Sequence, residues 1–162
     1  MKTLILGLGN PILGDDGVGW RVAQEMQARL DGDVEVDCLA LGGLRLMERM
    51  IGYERVILID ALVTPSPTPG RVHVLPLSDL PDPSSGHTTS AHDVSLQTAL
   101  QMAAKMGFPI PQEVWVVGVE IVPTLDFSET LSPEVEAALP QARRAIQELA
   151  GIPLEEAKDD IS

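Results

Sequence analysis

Five short apolar runs alternate with four helical patterns along this chain, and that alternation constrains the fold more than any other feature. "TLILGL", "DVEVDCLAL", "RVILIDAL", "RVHVLPL" and "EVWVVGVEI" are rich in Val, Ile and Leu and are bounded by glycine or polar residues, as strands are. "GVGWRVAQEMQARL" sets Val18, Val22, Met26 and Leu30 along one helical face, and "GLRLMERMI" reads as a short second helix. A third helix is expected from His92 to Met106. The fourth lies in "SPEVEAALPQARRAIQELA", with Ser132 as N-cap, Pro133 at its first position and Pro140 expected to kink or interrupt it. "RVILIDAL" is apolar nearly throughout, which predicts a strand buried on both faces. "RVHVLPL", after the break "VTPSPTPG", alternates as an edge strand does; the residues do not give its direction, although one antiparallel edge strand is expected in the sheet. The sum is one three-layer α/β domain over residues 1–152, a mainly parallel, five-stranded twisted sheet with helices on both faces. Residues 153–162, acidic and aperiodic, are expected to form a frayed tail.

Charge and length narrow the partners. A chain of 162 residues can bury a core without staples. Its formal charge of −13 opposes nucleic acid and anionic membrane surfaces, and favours a cation or a neutral-to-basic partner. No apolar run approaches the ~20 residues that cross a bilayer, and the start lacks the pattern of a signal peptide, so a cytoplasmic protein is expected. The single cysteine, Cys38, excludes an intramolecular disulfide and reads as a small buried hydrophobe, not a nucleophile.

In doubly wound sheets, ligands collect beyond the carboxyl ends of the strands. Three polar loops are candidates: "GNPILGDD", "DALVTPSPTPG" and "SSGHTTSAHD". The first resembles a phosphate loop only superficially. A dinucleotide fingerprint needs glycine where Ile12 stands, and the Gly-Lys-Ser/Thr ending of a P-loop is absent. Asp15 and Asp16 also place two carboxylates where an anion would bind, which suits a cation or, more plainly, a helix cap. Asp60 ends the apolar run "RVILID" at a strand mouth. His92 opens a helix, where the macrodipole favours the neutral imidazole. Asp16, Asp60 and His92 together can supply a three-ligand open site for a divalent transition metal. His73 reads as a structural strand residue, and His87 as a support or gate for the third loop. Gly9, Gly17 and Gly19 are expected to permit a backbone path or close approach that a Cβ would obstruct.

The order "GLGNPILGDDGVG", "ILIDAL", "SAHDVSL" resembles the hydrogenase maturation protease family, the endopeptidases that trim the large subunit of nickel-iron hydrogenases. The likeness spans nearly the whole chain and is sharpest over residues 4 to 100. The first motif is the most specific of the three. The family's metal-binding acid, Glu or Asp, falls on Asp16, its second carboxylate on Asp60 and its histidine on His92. After the second strand this chain has "ALGGLRL" in place of the family's acidic or Thr-containing stretch, so only the turn at Gly42 and Gly43 carries over.

The resemblance implies an endopeptidase that removes a C-terminal peptide from a nickel-loaded large-subunit precursor. Asp16, Asp60 and His92 would hold nickel carried by that substrate, with no permanently bound cofactor, and a monomer is the favoured state. Two rivals draw on the same residues. A nickel-binding chaperone or sensor would use the three ligands without hydrolysis. A serine hydrolase would need Ser90, His92 and Asp60, but no Gly-x-Ser-x-Gly elbow is present.

Overall fold

The computed structural model describes residues 1–28, 30, 33–40, 42–80, 91–124 and 126–152, with the backbone alone for 91–95. The acidic tail at 153–162, His87 and Ser90 lie outside the described residues. Five strands form one sheet: β1 (Thr3–Leu8), β2 (Val34–Leu39), β3 (Arg55–Leu62), β4 (Val72–Pro76) and β5 (Glu113–Glu120), in the order β2-β1-β3-β5-β4. All neighbours pair in parallel except β4, which closes one edge antiparallel to β5. The helices are α1 (Val18–Gln27), α2 (Gly43–Met50), α3 (Ala91–Lys105) and α4 (Pro133–Ala150). The expected fold class is therefore the observed one. None of the described helices is long and apolar enough to cross a membrane.

Period-two alternation sorts the core into two layers. Ile5, Ile57, Ile59, Val117 and Val119 face α1 and α4, where Val18, Val22, Met26, Val135, Leu139 and Ile146 meet them. Leu4, Leu6, Leu8, Val56, Leu58 and Val116 face the other way, toward Leu46 and Met50 of α2 and Leu96 and Leu100 of α3. Strands β1 and β3 lie inside the sheet and are buried nearly throughout, which is why their sequences lack polar alternation. Edge strand β2 is only half-buried.

Two local features differ from the sequence reading. Helix α4 is not interrupted at Pro140, one of the two outcomes expected there, and runs through it as one 18-residue element. Ser132 does stand at its N-cap, but its hydroxyl makes no capping bond. Instead the Ser132 Oγ–H and N–H donate to Asp15 Oδ2 and Oδ1, at 2.8 and 2.7 Å. These charge-assisted bonds tie α4 to the loop after β1.

Candidate functional site

The chain leaves β1 for β2 by way of α1 on one face, then returns over β1 to β3 by way of α2 on the other. Crossovers thus diverge between β1 and β3, and the crevice beyond their carboxyl ends is where this architecture holds ligands. Both acidic candidates lie there.

Asp16 reaches that edge through backbone geometry. After β1 the chain turns at Gly9, whose φ of +117° only glycine adopts readily. A Cβ at Gly9 would collide with the Asp16 carbonyl oxygen, so the two backbones touch. Asn10 organises the turn. Its Oδ1 accepts the Ile12 N–H at 3.1 Å, an Asx-turn, and its own N–H donates to Asp16 Oδ2 at 2.9 Å. A short 3-10 turn, Gly14–Gly17, then carries both aspartates into α1. Gly19 lets that helix settle on the sheet: a Cβ there would stand 2.5 Å from the Leu8 carbonyl oxygen and closer still to that of Ile59. At Gly17 the obstruction would be Pro11 Cα, at 2.9 Å.

Adjacent residues in this loop therefore have separate tasks. Asp15 is buried with both oxygens held by Ser132. Asp16 is half-buried and lies against the end of β1.

Asp60 arrives by sheet pairing. Strand β3 does not stop at it but continues to Leu62, because β5 pairs with β3 as far as Leu62↔Glu120. Pairing with β1 ends earlier, at Gly7↔Ile59, so Asp60 is the first β3 residue beyond that ladder. It is 3% exposed, shares the α2/α3 side of the sheet with Leu58, and accepts the Ala61 N–H on Oδ1 at 2.9 Å. A carboxylate this buried in a parallel sheet is costly unless its oxygens find partners.

His92 is the second residue of α3, which begins one residue before the expected start and ends one before the expected end. The segment after α3 bonds the amino end of the sheet, through Gly52 N–H to Pro109 O and Gln112 N–H to Glu54 O. A helix of 15 residues spans about 22 Å, so the first turn of α3 lies toward the opposite, carboxyl edge, on the same side of the sheet as Asp60. The His92 ring lies outside the described residues, and among those described no three His, Cys, Asp or Glu side chains form a metal-binding group.

His73 is the structural strand residue that the sequence predicts, but its partner was not foreseen. His73 pairs in register with Gly118, which on its other side pairs with Asp60. Its ring Nε2 lies 2.9 Å from Glu120 Oε1, and the Thr68 N–H donates to Glu120 Oε2 at 2.8 Å. Burial pushes the Glu120 carboxyl up, but the Thr68 N–H and the His73 ring outweigh it and hold the pKa below the ordinary carboxylate value. Ionised, Glu120 can only accept, so the donor in this bond is the His73 Nε2–H. The pair anchors the loop between β3 and β4. "GNP" was a legible Asx-turn signal, whereas the contact from Ser132 to Asp15 crosses 117 positions and has no local signature. Cys38 packs half-buried with its thiol pushed up to about 11 by burial and by the Asp37 charge, the opposite of a nucleophile's setting.

Comparison with known proteins agrees with this architecture. A family model described as hydrogenase maturation protease matches residues 20–149, a span that takes in Asp60 and His92 and begins just after the "GVG" motif. Hydrogenase 2 maturation protease of Escherichia coli K12 is 28% identical over 153 residues, covering 91% of this chain and 92% of that protein. The solved structure of the hydrogenase maturating endopeptidase HybD from E. coli superposes with a TM-score of 0.74 at 29% identity, over 96% of this chain and 99% of that one. The [NiFe] hydrogenase maturation protease HybD from Thermococcus kodakarensis gives a TM-score of 0.72 at 25% identity, covering 93% and 99%.

Proposed function

The chain belongs to the hydrogenase maturation protease family and is a peptidase, and from that premise we propose that it removes a C-terminal peptide from the nickel-loaded precursor of a nickel-iron hydrogenase large subunit. Asp16, Asp60 and His92 grip the nickel that the precursor already carries, and the protease needs no metal of its own. It works in the cytoplasm, as a monomer.

The observation that supports this reading is the juxtaposition at the switch point: two carboxylates at the ends of neighbouring parallel strands, with the histidine-bearing first turn of α3 toward the same edge. Carboxylate oxygen and imidazole nitrogen together suit a borderline divalent ion, and three protein donors from three segments leave the rest of the shell to the precursor's own ligands. Recognition and timing then coincide, because precursor without nickel offers nothing for the three residues to hold. Hydrolysis adds water across the scissile amide. A carboxylate at the edge accepts the proton that the attacking water gives up, and the departing amine takes one. This is the sense in which the enzyme is an aspartate-dependent peptidase.

Asp16→Asn, Asp60→Asn and His92→Ala test the assignment. Each is expected to cut nickel-loaded precursor at less than about a hundredth of the wild-type rate, measured by the shortening of the large subunit on a gel, with melting preserved. Full activity in two of the three variants contradicts the assignment.

A further inference from the structure

The surface beside Asp16 is apolar although the chain as a whole is strongly acidic. Ile12 is 45% exposed and Phe127 80% exposed. One pair of backbone bonds holds their segments side by side: Ser128 N–H donates to Ile12 O at 2.8 Å, and Gly14 N–H donates to Ser128 O at 2.7 Å. Val122, 53% exposed, follows the carboxyl end of β5 by two residues. The segment bearing Phe127 is fixed at its far end by the two bonds from Ser132 to Asp15. Its apolar groups are thus presented on a braced platform, which lowers the entropy lost when a partner covers them.

Charge identifies the partner. Asp126 and Glu129 flank Phe127 and Ser128, both exposed, and neither has an ion-pair partner among the described residues. A second copy of this chain would bring the same acidic rim against itself. An apolar segment bordered by lysine or arginine complements the platform in both respects.

We propose that Ile12, Val122 and Phe127, rimmed by Asp126 and Glu129, form the docking platform for the hydrogenase precursor, seating an apolar segment bordered by basic residues while the scissile end reaches Asp16. The proposal rests on the reading given under Proposed function. It places specificity in the loop between β5 and α4, outside the metal-gripping residues.

Steady-state processing of nickel-loaded precursor tests it, with wild-type protein, Phe127→Ala, Ile12→Ser and the Asp126→Lys/Glu129→Lys double variant. Phe127→Ala and Ile12→Ser are expected to raise KM about tenfold while kcat stays within about twofold. The charge-reversed variant is expected to raise KM and to lose the further weakening that added salt causes in wild type. All of these residues are exposed, so melting should match wild type in every case. An unchanged KM for Phe127→Ala, or a loss confined to kcat, overturns the platform while leaving the protease reading intact. No cleavage by wild type overturns both. Concentration-dependent dimerisation of wild type that Phe127→Ala abolishes assigns the patch to self-association and likewise overturns the proposal.

Discussion

The loop after β1 and the end of β3 reach the same edge of the sheet by opposite means. In the loop, Asp16 is positioned by backbone contacts that only glycine allows: a positive φ at Gly9 and van der Waals closeness at Gly17 and Gly19. At β3, Asp60 is positioned by strand pairing, in register with Gly118 and beyond the last β1 partner. The first device depends on a few residues with no substitute, whereas the second is distributed along a ladder and survives local change. Asp16 should therefore be lost through its neighbours, and Asp60 chiefly through its own replacement.

Gly19→Ala should separate the two most sharply. Its Cβ would press on two backbone carbonyls of the inner strands, neither able to rotate away, so a loss of about 3 kcal/mol or more is expected in chemical denaturation. Gly9→Ala should follow at about 2 kcal/mol, from strain at positive φ and contact with the Asp16 carbonyl. Wild-type melting in both would mean that the loop is looser than its contacts require.

Asp15→Asn sharpens the division between the two aspartates. An amide keeps one acceptor for Ser132 but loses the charge and the second, so stability should fall by about 1–2 kcal/mol while cleavage of precursor stays within about threefold. A cleavage defect as deep as that of Asp16→Asn would show that the two share one task.

Glu120 offers the smallest and most specific effect. Its carboxyl is held below its ordinary value in the folded chain, so its contribution is complete above the ordinary carboxylate range and is lost as pH falls through the lowered one. Glu120→Gln should cost on the order of 1 kcal/mol at neutral pH, and the gap from wild type should narrow on acidification. A gap that widens toward acid would contradict the direction of the shift.

Much of this was legible in the residues. Apolar runs located all five strands, and the unbroken "VILI" core of the third announced its central place, because a strand covered on both faces cannot alternate. The edge place of the fourth strand followed from the alternation in "RVHVLPL", whereas its antiparallel direction is set by its pairing with β5 and was not legible in those residues. The glycines of the first motif were readable as sites of close approach, though not what they approach: Gly19 meets Ile59, 40 positions away. The bond from Ser132 to Asp15 and the pairing of His73 with Glu120 were hidden for the same reason, since each joins segments that only the finished sheet brings together. Ser132 has the local signature of a cap, but its hydroxyl donates to the Asp15 carboxylate, a charge-assisted bond, and makes no capping bond.

The central claim is that the two aspartates and His92 act on nickel brought by the substrate. The direct measurement is cleavage of nickel-loaded and nickel-free precursor, side by side, by metal-stripped protein with free nickel chelated. The account predicts that the large subunit is shortened only where nickel was already inserted. Equal cutting of both precursors, or cutting restored only by loading metal onto the protease, would contradict it.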